Sequence, residues 1–210
     1  MNTFNAFIES LRSKIVGPLP GLDAQLRMAG LRRVMQQENI AIPKDASLAG
    51  VLIFFYPVDE EPYLVFMKRT EDGGVHSGQI SFPGGRYEES DHDIVFTALR
   101  EAHEEVGINP KEVSVLGKLT DLYIPPSRFL VTPVVGYSLL NHDFFADPSE
   151  VAEIIELPLR SFMEEGARTS AHIYINDGLQ FDAPCFNIRG NIIWGATAMI
   201  LNELLEMISE

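Results

Sequence analysis

Between Phe82 and Ile108 the chain reads FPGGRYEESDHDIVFTALREAHEEVGI: a Pro-Gly-Gly turn, a run of acids, then Glu101, Glu104 and Glu105 close together. Ile94, Ala98, Ala102 and Val106 recur every four residues, with Val95 and Leu99 beside them, which is the core-facing stripe of an amphipathic helix. Ser90 with Asp93 has the form of a capping box and predicts a helix start near Asp91, while Gly107 suits a left-handed stop. At 3.6 residues per turn the three glutamates fall within an arc of roughly 100° that borders the apolar stripe. His103 projects roughly opposite the centre of that arc. Like charges three and four residues apart on a helix repel, so carboxylates at the rim of a core call for a counter-ion. A charged helix face is commonly just solvated, and Arg100 can pair with Glu104 at i, i+4 as a routine surface interaction. The glycines on both sides of the helix and the rim placement set this one apart. Three carboxylates with no cysteine nearby favour a hard cation, Mg²⁺ or Mn²⁺.

The rest of the chain limits what such a site can serve. Its 210 residues suggest one domain, or one domain with an extension, and at 46% hydrophobic it can bury a core. Thirty acids against 16 bases give a formal charge of −14, which argues against non-specific nucleic-acid binding. Phosphates remain accessible as ligands if metal ions supply positive charge. Cys185 is the only cysteine, which excludes an intramolecular disulfide and a thiolate zinc cluster. The start, MNTFNAFIESLRSK, lacks the apolar core of a signal peptide, and LAGVLIFFY, Leu48 to Tyr56, is too short to span a membrane. The expectation is a soluble, cytoplasmic protein with no membrane partner.

Phe4, Phe7, Ile8, Leu11 and Ile15 have helical spacing, GPLPG breaks the chain, and a second amphipathic stretch runs from Leu22 to Gln37. Residues 1–45 thus read as an N-terminal helical extension, able to support a homodimer, and residues 46–210 as the main domain. From Ala49 the pattern turns to strands: AGVLIFFYP, buried on both faces, then PYLVFMKRT, ISFPGG, VSVLGKLTDLYI and FLVTPVVGYSLL. TEDGGVHSGQ reads as a glycine-rich loop, and EVAEIIELPLRSFMEEG as a strand with a short helix. AHIYIND and LQFDAPCFNI suggest a hairpin around Asp177-Gly178, and NIIWGATAMILNELLEMI a closing helix. The order implies an α+β chain with a mixed sheet between helical layers.

These residues resemble the Nudix box, Gly-x5-Glu-x7-Arg-Glu-U-x-Glu-Glu-x-Gly-U with U aliphatic. Its end is matched without a gap by Arg100, Glu101, Ala102, Glu104, Glu105, Gly107 and Ile108. Counting from Gly85, the sixth residue is Asp91 rather than Glu, and eight residues rather than seven separate it from Arg100. That variation is similar to the coenzyme A pyrophosphatase branch of the family. Upstream, Arg69, Gly78, Phe82, Pro83, Gly84 and Gly85 match that branch's signature, while Thr70 replaces Ser or Ala and Gly74 replaces an arginine. The resemblance covers roughly residues 47 to 208. It implies a Nudix-type α/β/α sandwich, divalent metal, and hydrolysis of a nucleoside diphosphate linked to another moiety.

On this reading Glu101, Glu104 and Glu105 ligate the metal, and Arg100 orients a metal-binding glutamate. One of the three glutamates, or Glu150 or Glu153, serves as the base. Gly84 and Gly85 let the backbone approach metal or phosphate, and Arg69 and Arg86 are candidate phosphate contacts. Lys68 and Arg128 are further cations able to stand in for the missing arginine, whereas Trp194 and Phe129 read as core. The implied substrate is coenzyme A or its thioesters. The alternatives are another substrate (ADP-ribose, NADH or a nucleoside triphosphate) or a non-catalytic domain that binds a nucleotide. Turnover is expected to require Mg²⁺ or Mn²⁺ and to stop in EDTA; full activity in thoroughly chelated buffer contradicts a metal-dependent site.

Overall fold

A computed structural model describes residues 3–36, 41–70, 78–174 and 180–209. Gly74 and the Asp177-Gly178 turn lie outside the described residues. The element order is α1 (Thr3–Ile15), α2 (Gly21–Leu26), α3 (Leu31–Gln36), β1 (Ser47–Val58), β2 (Glu61–Arg69), β3 (Ile80–Ser81), β4 (Gly84–Arg86) and α4 (Ile94–Val106). It continues with β5 (Ser114–Lys118), β6 (Leu122–Ile124), β7 (Phe129–Tyr137), β8 (Val151–Pro158), β9 (Arg168–Tyr174), β10 (Gln180–Ile188), β11 (Asn191–Trp194) and α5 (Gly195–Ser209).

Strand β1 is the axis of the larger sheet. Nine of its residues pair in parallel with β7, and β2, β3, β4, β5, β6 and β8 add antiparallel pairings, so the sheet is mixed. The unbroken apolar run of β1 follows from having both faces covered. Leu52, Phe54 and Tyr56 pack with Ala98, Ala102 and Val106 of α4. The alternate residues Ile53 and Phe55 join the larger cluster, which includes Phe4, Ile8 and Leu11 of α1 and Leu201, Leu204 and Leu205 of α5. The product is a helix–sheet–helix sandwich, as expected from the sequence. A second, three-stranded sheet, β11-β10-β9, contributes Phe186, Ile188 and Ile193 to the same cluster.

The N-terminal helices share this core. Glu203 of α5, fully buried, accepts from Gly21 N–H (3.2 Å), Thr120 N–H (3.2 Å) and the Gln25 side-chain amide (2.7 Å). Asn202 donates to the Ala24 carbonyl at 2.7 Å.

Three expected elements divide. The stretch Leu22–Gln37 is two short helices, because Met28 and Ala29 bury themselves in a turn ahead of Gly30. VSVLGKLTDLYI is two strands, β5 and β6, on successive parts of β7. Between them lies Pro133 of β7, whose carbonyl accepts from Leu119 N–H (2.9 Å) but which has no N–H to return, so the ladder breaks there. The closing segment begins as strand β11, and α5 starts only at Gly195, where φ is +64°.

The feature that positions the site is a fork between two strands. Residues 55–58 of β1 pair with residues 61–64 of β2. Beyond that the strands part: Ala49–Val51 of β1 pair with β4, and Met67–Lys68 of β2 pair with β3. The Phe82-Pro83 link lies in the gap, with Leu52 N–H donating to the Pro83 carbonyl at 2.8 Å. Helix α4 crosses close above. A Cβ at Gly50 would stand 2.6 Å from the Ile94 carbonyl oxygen, a backbone atom that cannot rotate away. Gly50→Ala should therefore push α4 off the sheet and cost about 2 kcal/mol or more, a fall of about 5 °C in Tm by thermal unfolding; a Tm within 1 °C of wild type contradicts this packing.

Candidate active site

Helix α4 starts later than the capping-box pattern suggests. Its N-cap is Asp93, in extended conformation, whose carboxylate accepts from Phe96 N–H at 2.8 Å. Ser90 instead donates to Glu88 at 3.5 Å. Asp91 is thereby released for a different task. It is buried and accepts from Glu88 N–H (3.0 Å), the Thr97 hydroxyl (2.9 Å) and two donors of Arg100, Nε at 2.9 Å and Nη2 at 3.1 Å. The Arg100 guanidinium holds the Asp91 carboxyl well below the usual carboxylate range, against the opposing effect of burial. Gly107 closes the helix in the left-handed conformation, φ +77°, as expected.

Arg100 joins the acids to the strands around them. Besides Asp91, its Nη1 lies 3.0 Å from both Glu101 and Glu104, and its Nη2 donates to the Arg86 carbonyl at 3.1 Å. Arg100 thus ties the end of β4 to α4 and draws two of the three glutamates toward itself.

The three glutamates differ in environment. Glu105 is 3% exposed; its Oε2 accepts from Gly84 N–H at 2.7 Å and its Oε1 lies 3.5 Å from Arg69. Burial pushes the Glu105 carboxyl up to about 8, with the Gly84 N–H and Arg69 pulling the other way and the charges of Glu101 and Glu150 adding to the rise. Glu101 is shifted upward too, chiefly by burial and against the pull of Arg100. Its carboxylate rests on Gly85, where a Cβ would stand 2.4 Å from the Glu101 Cδ. Glycine at that position is a condition for the close approach. Glu104 is mostly exposed, in keeping with the edge of the arc.

Arg69 bridges toward a fourth acid, with Nη2 3.7 Å from Glu150. Glu153 sits opposite Lys68 on β8 with an exposed side chain, and among the described residues no ion pair joins it to the cluster. Arg86 contributes its carbonyl, while its side chain is exposed. Arg128 is engaged by Asp45 at 2.9 Å. Phe129 packs against the main core, and Trp194 meets Phe181 edge-on at 5.8 Å. His103 is exposed, and at 3.6 residues per turn it falls on the side of α4 away from the centre of the acids.

Among the described residues no three carboxylate, imidazole or thiol groups are already drawn together as a metal cage. The oxygens of Glu101 and Glu104 are turned to Arg100, and those of Glu105 to Gly84 and Arg69. The donor set nevertheless fits a hard divalent ion. It is all oxygen, and two of its carboxylates sit where burial disfavours their charge, a cost that a cation relieves.

A glycine turn threaded into a strand fork beneath a glutamate-bearing helix defines a class, and the comparisons agree on it. The NUDIX domain family profile matches residues 47–174. The chain is 36% identical over 149 residues, 71% of its length and 74% of theirs, to proteins named uncharacterized Nudix hydrolase NudL from Yersinia pestis (strain Pestoides F) and Yersinia pseudotuberculosis serotype O:1b (strain IP 31758). The chain belongs to the Nudix family and is a Nudix hydrolase, an enzyme acting on pyrophosphate bonds. In fold it is similar to the Nudix hydrolase RenU from M. smegmatis (TM-score 0.52, 14% identity, 82% of this chain and 92% of that one). It is also similar to a MutT/nudix family protein from Enterococcus faecalis (TM-score 0.52, 13% identity, 89% and 72%). Among the described residues no helix is long and apolar enough to cross a membrane.

Two features escaped the sequence reading. One is the buried role of Asp91. The other is a strap that caps the far end of α4, where Phe145 N–H donates to the Val106 carbonyl (3.1 Å) and Asp147 N–H to that of Glu105 (2.9 Å). Replacing Glu104 or Glu105 by Gln should lower kcat at saturating metal by at least about 100-fold. His103→Ala should stay within about threefold, as for a surface change. A loss in His103→Ala comparable with that in Glu105→Gln would mean the working face of α4 has been misassigned.

Proposed function

We propose that this Nudix hydrolase cleaves the pyrophosphate of coenzyme A or its thioesters, yielding 3′,5′-ADP and 4′-phosphopantetheine, with Mg²⁺ or Mn²⁺ held by Glu101, Glu104 and Glu105. The observation that carries the reading is the two-point contact between Asp91 and Arg100. The aspartate with its longer spacer is the feature by which the sequence resembles the coenzyme A branch. The reading is supported by what that aspartate touches: it anchors Arg100, whose Nη1 contacts two of the glutamates.

A bound divalent ion would polarise the phosphoryl oxygens and make a coordinated water more acidic. The chain's own groups do the rest. Asp91 fixes Arg100, and Arg100 sets the directions of Glu101 and Glu104. Gly84 N–H holds Glu105 at the base of the fork. Glu105 and Glu150 are the candidates for taking the proton from the attacking water, whose oxygen bonds to one phosphorus as the bridging P–O bond breaks. Arg69, between those two acids, is placed to meet a phosphate.

Gly74, where the branch signature has arginine, favours a weak grip on the 3′-phosphate that distinguishes coenzyme A from dephospho-coenzyme A. The test is kcat/KM for coenzyme A, dephospho-coenzyme A, ADP-ribose and NADH in one metal buffer. Coenzyme A should lead ADP-ribose and NADH, with less than about tenfold preference over dephospho-coenzyme A. If ADP-ribose or NADH leads by tenfold, about 1.4 kcal/mol of transition-state preference, the substrate belongs to another branch of the family.

A further inference from the structure

We propose that Asp147 is a positioning residue for Glu150: its side chain caps the turn that carries Glu150 into the carboxylate cluster, and it acts on the reaction only through Glu150. The inference rests on the pyrophosphatase reading, in which Glu150 takes part.

The strap that reaches α4 ends in the tight turn 147–150. The Asp147 Oδ1 accepts two hydrogen bonds from Ser149, from its N–H at 2.8 Å and its hydroxyl at 2.7 Å. The Asp147 carbonyl accepts from Glu150 N–H (3.1 Å) and Val151 N–H (2.8 Å). Its own N–H donates to the Glu105 carbonyl at 2.9 Å. One residue therefore closes the turn with its side chain and bolts it to α4 at the residue whose carboxylate lies deepest in the fork. The other side of the turn is fastened to the end of β2, where Thr70 N–H donates to the Glu150 carbonyl at 3.0 Å and the Thr70 hydroxyl to the Ser149 carbonyl at 3.4 Å. The Glu150 side chain itself is half exposed, and its ion pair among the described residues is a long one, 3.7 Å to Arg69. Its location is consequently set largely by backbone, and the side-chain group within the turn that accepts the shortest bonds shaping this backbone is the Asp147 carboxylate. Phe145 and Asp147 together cap the last carbonyls of α4, so the turn moves with the helix.

Acceptance from Ser149 needs an oxygen and not a charge, which separates positioning from metal ligation. Asp147→Ala should lower kcat at least about tenfold, with KM within about threefold and Tm nearly unchanged. Asp147→Asn, which keeps the acceptor, should restore kcat to within about threefold of wild type. In a Glu150→Gln background Asp147→Ala should cost less than about twofold more. Independently of turnover, amide hydrogen exchange at Glu150 and Val151 should accelerate at least about tenfold in Asp147→Ala and not in Asp147→Asn. Wild-type kcat in Asp147→Ala, equal losses in the Ala and Asn variants, or additive losses with Glu150→Gln would overturn the inference. If the wild type cleaves no pyrophosphate tested, the proposed reaction falls, and unaccelerated exchange in Asp147→Ala then overturns the positioning role by itself.

Discussion

Arg100 meets Asp91 through Nε and Nη2, and the separation of the two partners in sequence gives that contact its reach. Asp91 lies in the loop before α4, so the pair fastens the loop to the helix two turns in, while a third bond to the Arg86 carbonyl fastens β4 as well. The Asp91 side chain has no solvent exposure and Arg100 little, so the pair is weakly screened. Removing Arg100 strands the Asp91 carboxylate out of water, a situation that costs about 3–5 kcal/mol in buried pairs, whereas Arg100 without Asp91 keeps Glu101, Glu104 and the Arg86 carbonyl as partners. The remaining Nη1 is then aimed at Glu101 and Glu104. The contact that anchors Arg100 includes neither Glu101 nor Glu104, yet Arg100 is the side chain both of them meet.

The strand fork supplies the other half of the site. Because β1 and β2 part, a turn without side chains can enter the sheet under α4. Gly84 presents its N–H to Glu105, and Gly85 leaves room for Glu101. A Cβ at either place would meet neighbours at 2.3–2.4 Å, so close approach and small residues are one requirement. Burial raises Glu105, and under the proposed function that would have a use: a site that disfavours its own negative charge gains more from a cation than an open cluster does.

Much of this was legible from periodicity. The four-residue recurrence of Ile94, Ala98, Ala102 and Val106 put three glutamates on one arc and His103 on the other side, and the helix obeys that geometry. The double-sided burial of β1 was readable in its unbroken apolar run. What periodicity could not show were effects owed to distant partners. Asp91 reads as one more acid near a cap until Arg100 reaches back to it. The β5–β6 break is dictated by Pro133, on another strand. The strap from Phe145 to Glu150 caps a helix some forty residues earlier. Asn191–Trp194 looked helical because a short apolar run has no period of its own; the one local signal was Gly195, which holds the positive φ where strand gives way to helix.

Under the proposed function the carboxylates under Arg100 hold a divalent ion at the mouth of the strand fork. Anomalous diffraction from crystals grown with Mn²⁺ tests it directly. A manganese peak is expected within bonding distance of carboxylate oxygens of Glu105 and Glu101, with Arg100 still on Asp91. Manganese bound away from these residues, or none at them under conditions where the enzyme turns over, would contradict it.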